Sequence, residues 1–293
     1  MQFKLILCPV DFSEFSAAAY RYALSLAEHY KTNLVVLHAV ELRKYPYADY
    51  AAAAGDFASF CKALCEGGSV KLHEFLKKHS RAETDVRCVV DQGNASDLIL
   101  SFAQAHNVEL IVMGSHGRRG LDRLVLGSTT DRVMRRASCP VLVVSDESHN
   151  VMTTGPEGQH HLSRILYCTD FSSNSARALD YAISVTEEYG AELTMLHVTE
   201  GHPDPVSAQA LLAAHTQQLH KLVPESKHKD LKLKTVVRFG KPYQEIVQQA
   251  RDSQTSIITM TARGGDALDR AVFGSTTYRV IQLGPCPVLA VHT

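Results

Sequence analysis

The chain repeats itself, and the repeat constrains its architecture more than any single residue does. Leu7-Cys8-Pro9-Val10-Asp11-Phe12-Ser13 returns as Leu166-Tyr167-Cys168-Thr169-Asp170-Phe171-Ser172. Leu37-His38-Ala39 returns as Leu196-His197-Val198. Leu121-Asp122-Arg123-Leu124-Val125-Leu126-Gly127-Ser128-Thr129-Thr130 returns as Leu268-Asp269-Arg270-Ala271-Val272-Phe273-Gly274-Ser275-Thr276-Thr277, and Cys139-Pro140-Val141-Leu142 as Cys286-Pro287-Val288-Leu289. The matches keep their order, and their spacing is far longer than the roughly 20–50 residues of a solenoid repeat. Two copies of one domain follow. We expect boundaries at 1–146 and 163–293, around a linker at 147–162 that holds Gly155-Pro156-Glu157-Gly158 and breaks every periodicity.

Within a copy, strand and helix patterns alternate. In the first, residues 3–10 are strand-like, and Ser13 is placed to cap a helix that runs to about Tyr30. Strands are expected at 33–40, 85–90, 108–113 and 141–144, and helices at 57–79, 95–106 and 127–136. Apolar strands alternating with helices imply an α/β fold, in which each copy is a five-stranded parallel sheet between helices. Apolar residues are 45% of the chain, enough for a core in each copy. The last strands, 141–144 and 288–291, are expected to pack together, because an unpaired edge invites association. The chain would then form an internal pseudo-dimer, with further homodimerisation open to it.

Several function classes are disfavoured. With 30 basic and 31 acidic residues, no global field draws the chain to nucleic acid or an anionic membrane. No apolar run approaches the ~20 residues of a membrane span, and Met1-Gln2-Phe3-Lys4 leads straight into a strand rather than a signal peptide. Seven cysteines lie scattered without a CxxC pair, which reads as thiols in a reducing, cytoplasmic compartment. Cys61 and Cys65 stand one helical turn apart and could touch a metal, but packing is the default. The irregular spacing of His149, His160 and His161 suits adventitious metal binding better than a built site. No G-x-G-x-x-G fingerprint, G-x4-G-K-[ST] loop, G-x-S-x-G elbow or poised general base is visible, so efficient catalysis is not implied.

What remains is a constellation at the carboxyl ends of the strands, where ligands of open α/β sheets bind. In the first copy Asp11, Ala39 and Gly114 fall there. Gly114-Ser115-His116-Gly117 is followed, nine residues on, by Gly127-Ser128-Thr129. Glycines at 114 and 117 would turn the chain tightly and bring main-chain N–H groups near a ligand. A helix opening at Gly127 presents unpaired amides and a positive dipole end to phosphate oxygens. The hydroxyls of Ser128 and Thr129 add donors. Arg118 and Arg119 are nearby cations that read as a solvated turn more readily than as a clamp. Asp11 is either a ligand contact or a helix cap. His38 and His197 read as histidines that order a strand-to-loop junction.

These motifs together resemble the universal stress protein family, over nearly the whole chain and as a tandem member. Residues 114–128 match the G-x2-G-x9-G-[ST] pattern of its nucleotide-binding subgroup. The resemblance implies Rossmann-like, adenine nucleotide alpha hydrolase-like domains. It further implies a stress-response regulator that binds ATP, or ADP or AMP, with Mg²⁺ on the phosphates. Carried over by position, Asp11 meets the ribose or the adenine edge, the main chain at Ala39 and the side chain of Met113 meet the base, and Gly114 and Gly117 let the phosphates approach. Gly127, Ser128 and Thr129 hold the phosphates, with Pro9, Ser13, His116 and Arg118 beside them. In the second copy, Asp170, Val198, Met260, Gly264, Gly274, Ser275 and Thr276 take the matching places, but Thr261 stands where the first glycine belongs, which puts binding there in doubt. The rival readings are a scaffold or chaperone-like module with an unknown protein partner, and a slow ATPase.

Overall fold

The computed structural model describes residues 3–42, 57–80, 86–117, 125–145, 162–227, 230–263 and 274–292. The first repeat runs β1 (Leu5–Pro9), α1 (Glu14–Tyr30), β2 (Asn33–Val40), α2 (Phe57–His79), β3 (Val86–Gln92), α3 (Ala95–Ala105), β4 (Leu110–Gly114), α4 (Ser128–Arg136) and β5 (Val141–Val144). The second runs β6 (Arg164–Thr169), α5 (Ser173–Tyr189), β7 (Glu192–Thr199), α6 (Pro205–Leu222), β8 (Lys232–Phe239), α7 (Pro242–Asp252), β9 (Ile257–Thr261), α8 (Ser275–Leu283) and β10 (Val288–Val291). The Rossmann-like alternation expected from the repeat is therefore present in both copies.

Local chemistry explains the boundaries. Ser13 caps α1 by accepting the Ser16 N–H, and Asn94 caps α3 by accepting from Ser96 and Asp97. Asp204 caps α6, whose first residue, Pro205, has no N–H to leave unpaired. The left-handed residues Lys31 and Gly190 end α1 and α5. Every residue of β4 and of β9 is buried, as expected of strands covered on both faces.

The described residues fall into two compact units. The first draws on residues 3–117 and 127–139 and holds a parallel sheet in the order β3-β2-β1-β4, with Leu7 opposite Val35 and Ile6 opposite Leu110. The chain moves outward from β1 to β3 and then returns to the far side of β1 as β4. This reversal opens a crevice beyond the ends of β1 and β4. The second unit draws on residues 125–126 and 140–292 and has the order β5-β10-β9-β6-β7-β8, with its own reversal between β6 and β9. The strand that the repeat counts as the fifth of copy one, β5, thus sits in the second unit. There it pairs antiparallel with β10, Leu142 opposite Leu289. The two last strands do meet, and the core of the second unit includes one strand of the first repeat.

All seven cysteines are free thiols. Cys8, Cys139, Cys168 and Cys286 are buried, and burial, opposed by a main-chain hydrogen bond, pushes the Cys139 thiol up to about 11. Among the described residues, no group of three or more His, Cys, Asp or Glu side chains could hold a metal, and no helix is long and apolar enough to cross a membrane. His149, His160 and His161 lie outside the described residues.

Ile111, on β4, is fully buried, whereas Val70, on α2, is 60% exposed. Ile111→Ala should therefore cost about 2–5 kcal/mol of stability. Val70→Ala should stay within about 0.5 kcal/mol. Urea unfolding followed by circular dichroism measures both.

Candidate functional site

Two hydrogen bonds tie the end of β4 to the start of α4. The Gly127 N–H donates to the Ser115 carbonyl at 2.9 Å, and the Thr130 hydroxyl donates to the Gly114 carbonyl at 2.8 Å. Gly127 is the N-cap of α4 and has no side chain to bond the helix amides. Among the described residues nothing accepts from the N–H groups of Ser128, Thr129 and Thr130. They form the positive end of the helix dipole, which favours a nearby anion by about 0.3–1 kcal/mol when exposed. The Gly127 amide itself is committed to Ser115 and is not among the available donors.

The two loop glycines are needed for close approach and not for a tight turn. Neither adopts a positive φ. A Cβ at Gly114 would lie 2.9 Å from the main-chain carbon of Phe15, so the missing side chain admits the first turn of α1. A Cβ at Gly117 would lie 2.6 Å from Oδ2 of Asp11, so this glycine admits the carboxylate. A Cβ at Gly127 would lie 3.4 Å from Cα of His116 and 3.6 Å from N of Gly117. Asp11, Gly117 and Gly127 thus converge at one place. Arg118 and Arg119 lie outside the described residues.

The unusual backbone belongs to Phe12, which has φ 67° between β1 and α1. A bulky residue in the left-handed region costs on the order of 1–3 kcal/mol unless its surroundings impose the conformation. Here they do. The Phe12 ring lies 4.2 Å from that of His38 and 5.7 Å from that of Phe75. His38 donates from Nδ1 to the Val10 carbonyl at 2.9 Å, which fixes the turn from the β2 side. Asp11 Oδ1 accepts from the Ser13 N–H at 3.1 Å and from its hydroxyl at 2.6 Å. Asp11 therefore braces the cap residue through one oxygen and faces Gly117 with the other. Pro9 pairs in register with Leu37, which sets Ala39, half-buried, just beyond the end of β1. Met113 is buried on β4.

His116 is the residue of this group whose chemistry is incomplete. It is 9% exposed, its ring lies 5.2 Å from that of Phe15, and its Nδ1 is 2.9 Å from Oγ of Ser115. Its Nε2 is buried and, among the described residues, has no hydrogen-bond partner. A buried ring nitrogen left unpaired costs about 1–3 kcal/mol, and such atoms in native proteins have a reason.

The second copy keeps the framework and changes the lining. Gly274 donates to the Ala262 carbonyl at 3.0 Å and the Thr277 hydroxyl to the Thr261 carbonyl at 2.8 Å. Phe171 has φ 61°, stacks on His197 at 4.3 Å, and follows Asp170, whose Oδ1 accepts from Ser172 at 3.0 and 2.6 Å. Gly274 caps α8 without a side-chain bond, as Gly127 does for α4. Ser275 is exposed, Thr276 and Val198 are half-buried, and Met260 is buried. Gly264 lies outside the described residues. Thr261 replaces Gly114, Asn174 replaces Phe15 and Arg263 replaces His116, three changes clustered at one contact between loop and helix. The residues missed from sequence were Phe12, Phe15 and Thr130; the recurrence of Phe12 and Thr130 in the second copy was the signal for two of them.

The universal stress protein family model matches this chain twice, over residues 2–145 and 161–292. The chain belongs to that family, as a tandem of two of its domains. It is 25% identical over 313 aligned residues to a universal stress protein of Mycolicibacterium smegmatis, with 98% of this chain and 96% of the relative covered. It is 30% identical over 142 residues to Universal stress protein MJ0531 of Methanocaldococcus jannaschii, covering 48% of this chain and 82% of that protein. The crystal structure of a universal stress protein from Archaeoglobus fulgidus superposes with a TM-score of 0.74 at 22% identity, covering 100% of this chain and 99% of that one. That last likeness shows a shared fold.

Because the space at Gly114 is filled by the Phe15 main chain, Gly114→Ala should destabilise the protein by about 1–3 kcal/mol through overpacking, with or without ligand. Thermal unfolding of the unliganded protein checks it.

Proposed function

We propose that the first copy binds an adenine nucleotide and acts as a regulatory protein rather than an enzyme. The observation that carries this reading is the pairing of two unmet needs on the loop and the helix that meet at Gly127. Among the described residues, the amides of residues 128–130 have no acceptor and Nε2 of His116 has no partner. An anionic ligand that also accepts or donates at His116 would satisfy both. In this reading the phosphates lie on the α4 amides and the hydroxyls of Ser128 and Thr129. The ribose meets Asp11 and the base lies between the main chain at Ala39 and Met113. With no three-ligand group among the described residues, Mg²⁺ would arrive on the phosphates rather than in a protein-built site. The second copy has the same uncapped helix, but Thr261 and Arg263 change the floor of the crevice, so we assign it the weaker affinity. Free buried thiols suit a reducing, cytoplasmic setting.

Isothermal titration with ATP, ADP and AMP, each with and without Mg²⁺, tests the assignment. Saturable binding of at least one nucleotide is expected. Gly117→Val, whose side chain would displace Asp11, should weaken it at least tenfold, about 1.4 kcal/mol. A wild-type protein that shows no saturable binding of any of the three would overturn the reading. It would favour the scaffold role, in which the uncapped helix is a relic.

A further inference from the structure

The copies also differ beneath the second strand, away from the glycine loop. In copy one, α2 crosses the end of β2 at Gly68, where a Cβ would lie 3.1 Å from Val90, 3.2 Å from Val40 and 3.5 Å from His38. Leu34 pairs with Val86 and Leu193 with Leu233, so position 86 answers to 233. Counting back from each (86 − 68 = 18 and 233 − 215 = 18), Gly68 answers to His215. Leu72 and Leu219, one turn further along, are both fully buried, which supports the register. Where copy one has no side chain, copy two has an imidazole.

That imidazole meets another. The rings of His215 and His197 lie 4.6 Å apart, edge to face at 72°, and the His215 ring is 5.7 Å from that of Phe171. Nδ1 of His197 donates to the Thr169 carbonyl at 2.9 Å, and Nδ1 of His215 bonds Oγ1 of Thr199 at 3.1 Å. Both rings are thus held in place while neutral. Leu219 is the one fully buried side chain of α6, Ala208, Leu211, Thr216 and Leu222 are half-buried, and Val206 is 81% exposed.

The charges around the pair offer little compensation for added protons. From the turn before α5, Asp170 acts on His197, but its Oδ1 already serves Ser172. Beyond β7, Glu200 is exposed. On β8, Arg238 turns to the other face, held by Glu245, Gln249 and Asp252 of α7. On α6, His220 bonds Thr235, and Lys221 is exposed near the far end. Burial, and then the neighbouring His215, hold the His197 imidazole below its usual range. A histidine shifted down in the folded state contributes full stability above its unfolded pKa of about 6.5, and loses it as pH falls from there through the lower folded value.

We propose that His197 and His215 form an acid-sensitive latch that holds α6 against the sheet of copy two while both rings are neutral and releases it when protons enter the pair. Copy one, with Gly68 at the matching place, lacks the latch, so α2 up to Gly68 serves as the internal control; at its far end His79, which burial holds below its usual range, has an acid response of its own. The proposal does not depend on nucleotide binding.

Hydrogen–deuterium exchange on the full chain, at about pH 7.5 and about pH 5.5 and corrected for the intrinsic exchange rate, reads the latch directly. Protection over residues 205–222 should fall about tenfold at the lower pH, while protection over 57–68 holds. His215→Gln, which keeps a hydrogen-bonding partner for Thr199 but cannot take up a proton, should abolish the difference. Equal protection of α6 at both pH values, or an undiminished difference in His215→Gln, would overturn the proposal. Ring-proton NMR of the wild-type chain gives a test that needs no variant. Linked titration of His197 and His215, with His197 below the ordinary histidine range, supports the latch; independent titration of both at ordinary values refutes it.

Discussion

A hydrogen-bonded stitch between the end of a strand and the start of the next helix is the constraint on which each site depends. Buried main-chain carbonyls must be paired, and in both copies the carbonyl that ends the fourth strand is paired by a threonine hydroxyl from the following helix, Thr130 or Thr277. The glycine amide just before that helix is spent on the next carbonyl, Ser115 or Ala262. With those groups satisfied inside the protein, the next helix amides have no acceptor among the described residues. The anion site we propose thus rests on what the stitch uses and what it leaves over.

Across the crevice, the turn after the first strand is held by a different means. Phe12 and Phe171 take a backbone conformation that disfavours large side chains. The energy is recovered by aromatic contact with a histidine one strand away, and each histidine is in turn anchored by a main-chain carbonyl. His38 and His197 are therefore structural residues first. The acidic residue before each phenylalanine is positioned by this turn, which is why Asp11 can brace Ser13 and still face Gly117.

On this shared frame the two copies differ in side chains at two places. At the glycine loop, copy one combines a glycine, a phenylalanine and a buried histidine, and copy two a threonine, an asparagine and an arginine. Beneath the second strand, copy one brings a helix down on Gly68, and copy two inserts His215. Neither set of changes disturbs the stitch or the strained turn. The copies keep the stitch and the strained turn and differ in what the glycine loops and helix seats present.

Much of this was legible in the sequence because it is local. The ends of α2 at Phe57 and His79 and of β5 at Val141 and Val144 are those read from periodicity, since the side that faces the core fixes the spacing of apolar residues. The same holds for the glycine spacing, which marks a helix start whatever lies around it. Other features depend on residues distant in the chain. The reason for Gly114 is the main chain of Phe15, the reason for Gly68 is a trio of side chains from β2 and β3, and β5 takes its place in the second unit from a partner strand almost 150 residues on. The sequence determined that two α/β copies form and where their glycine loops fall. Tertiary packing decided which distant segment each of those glycines makes room for, because only the folded chain brings Phe15 to Gly114 and Asp11 to Gly117.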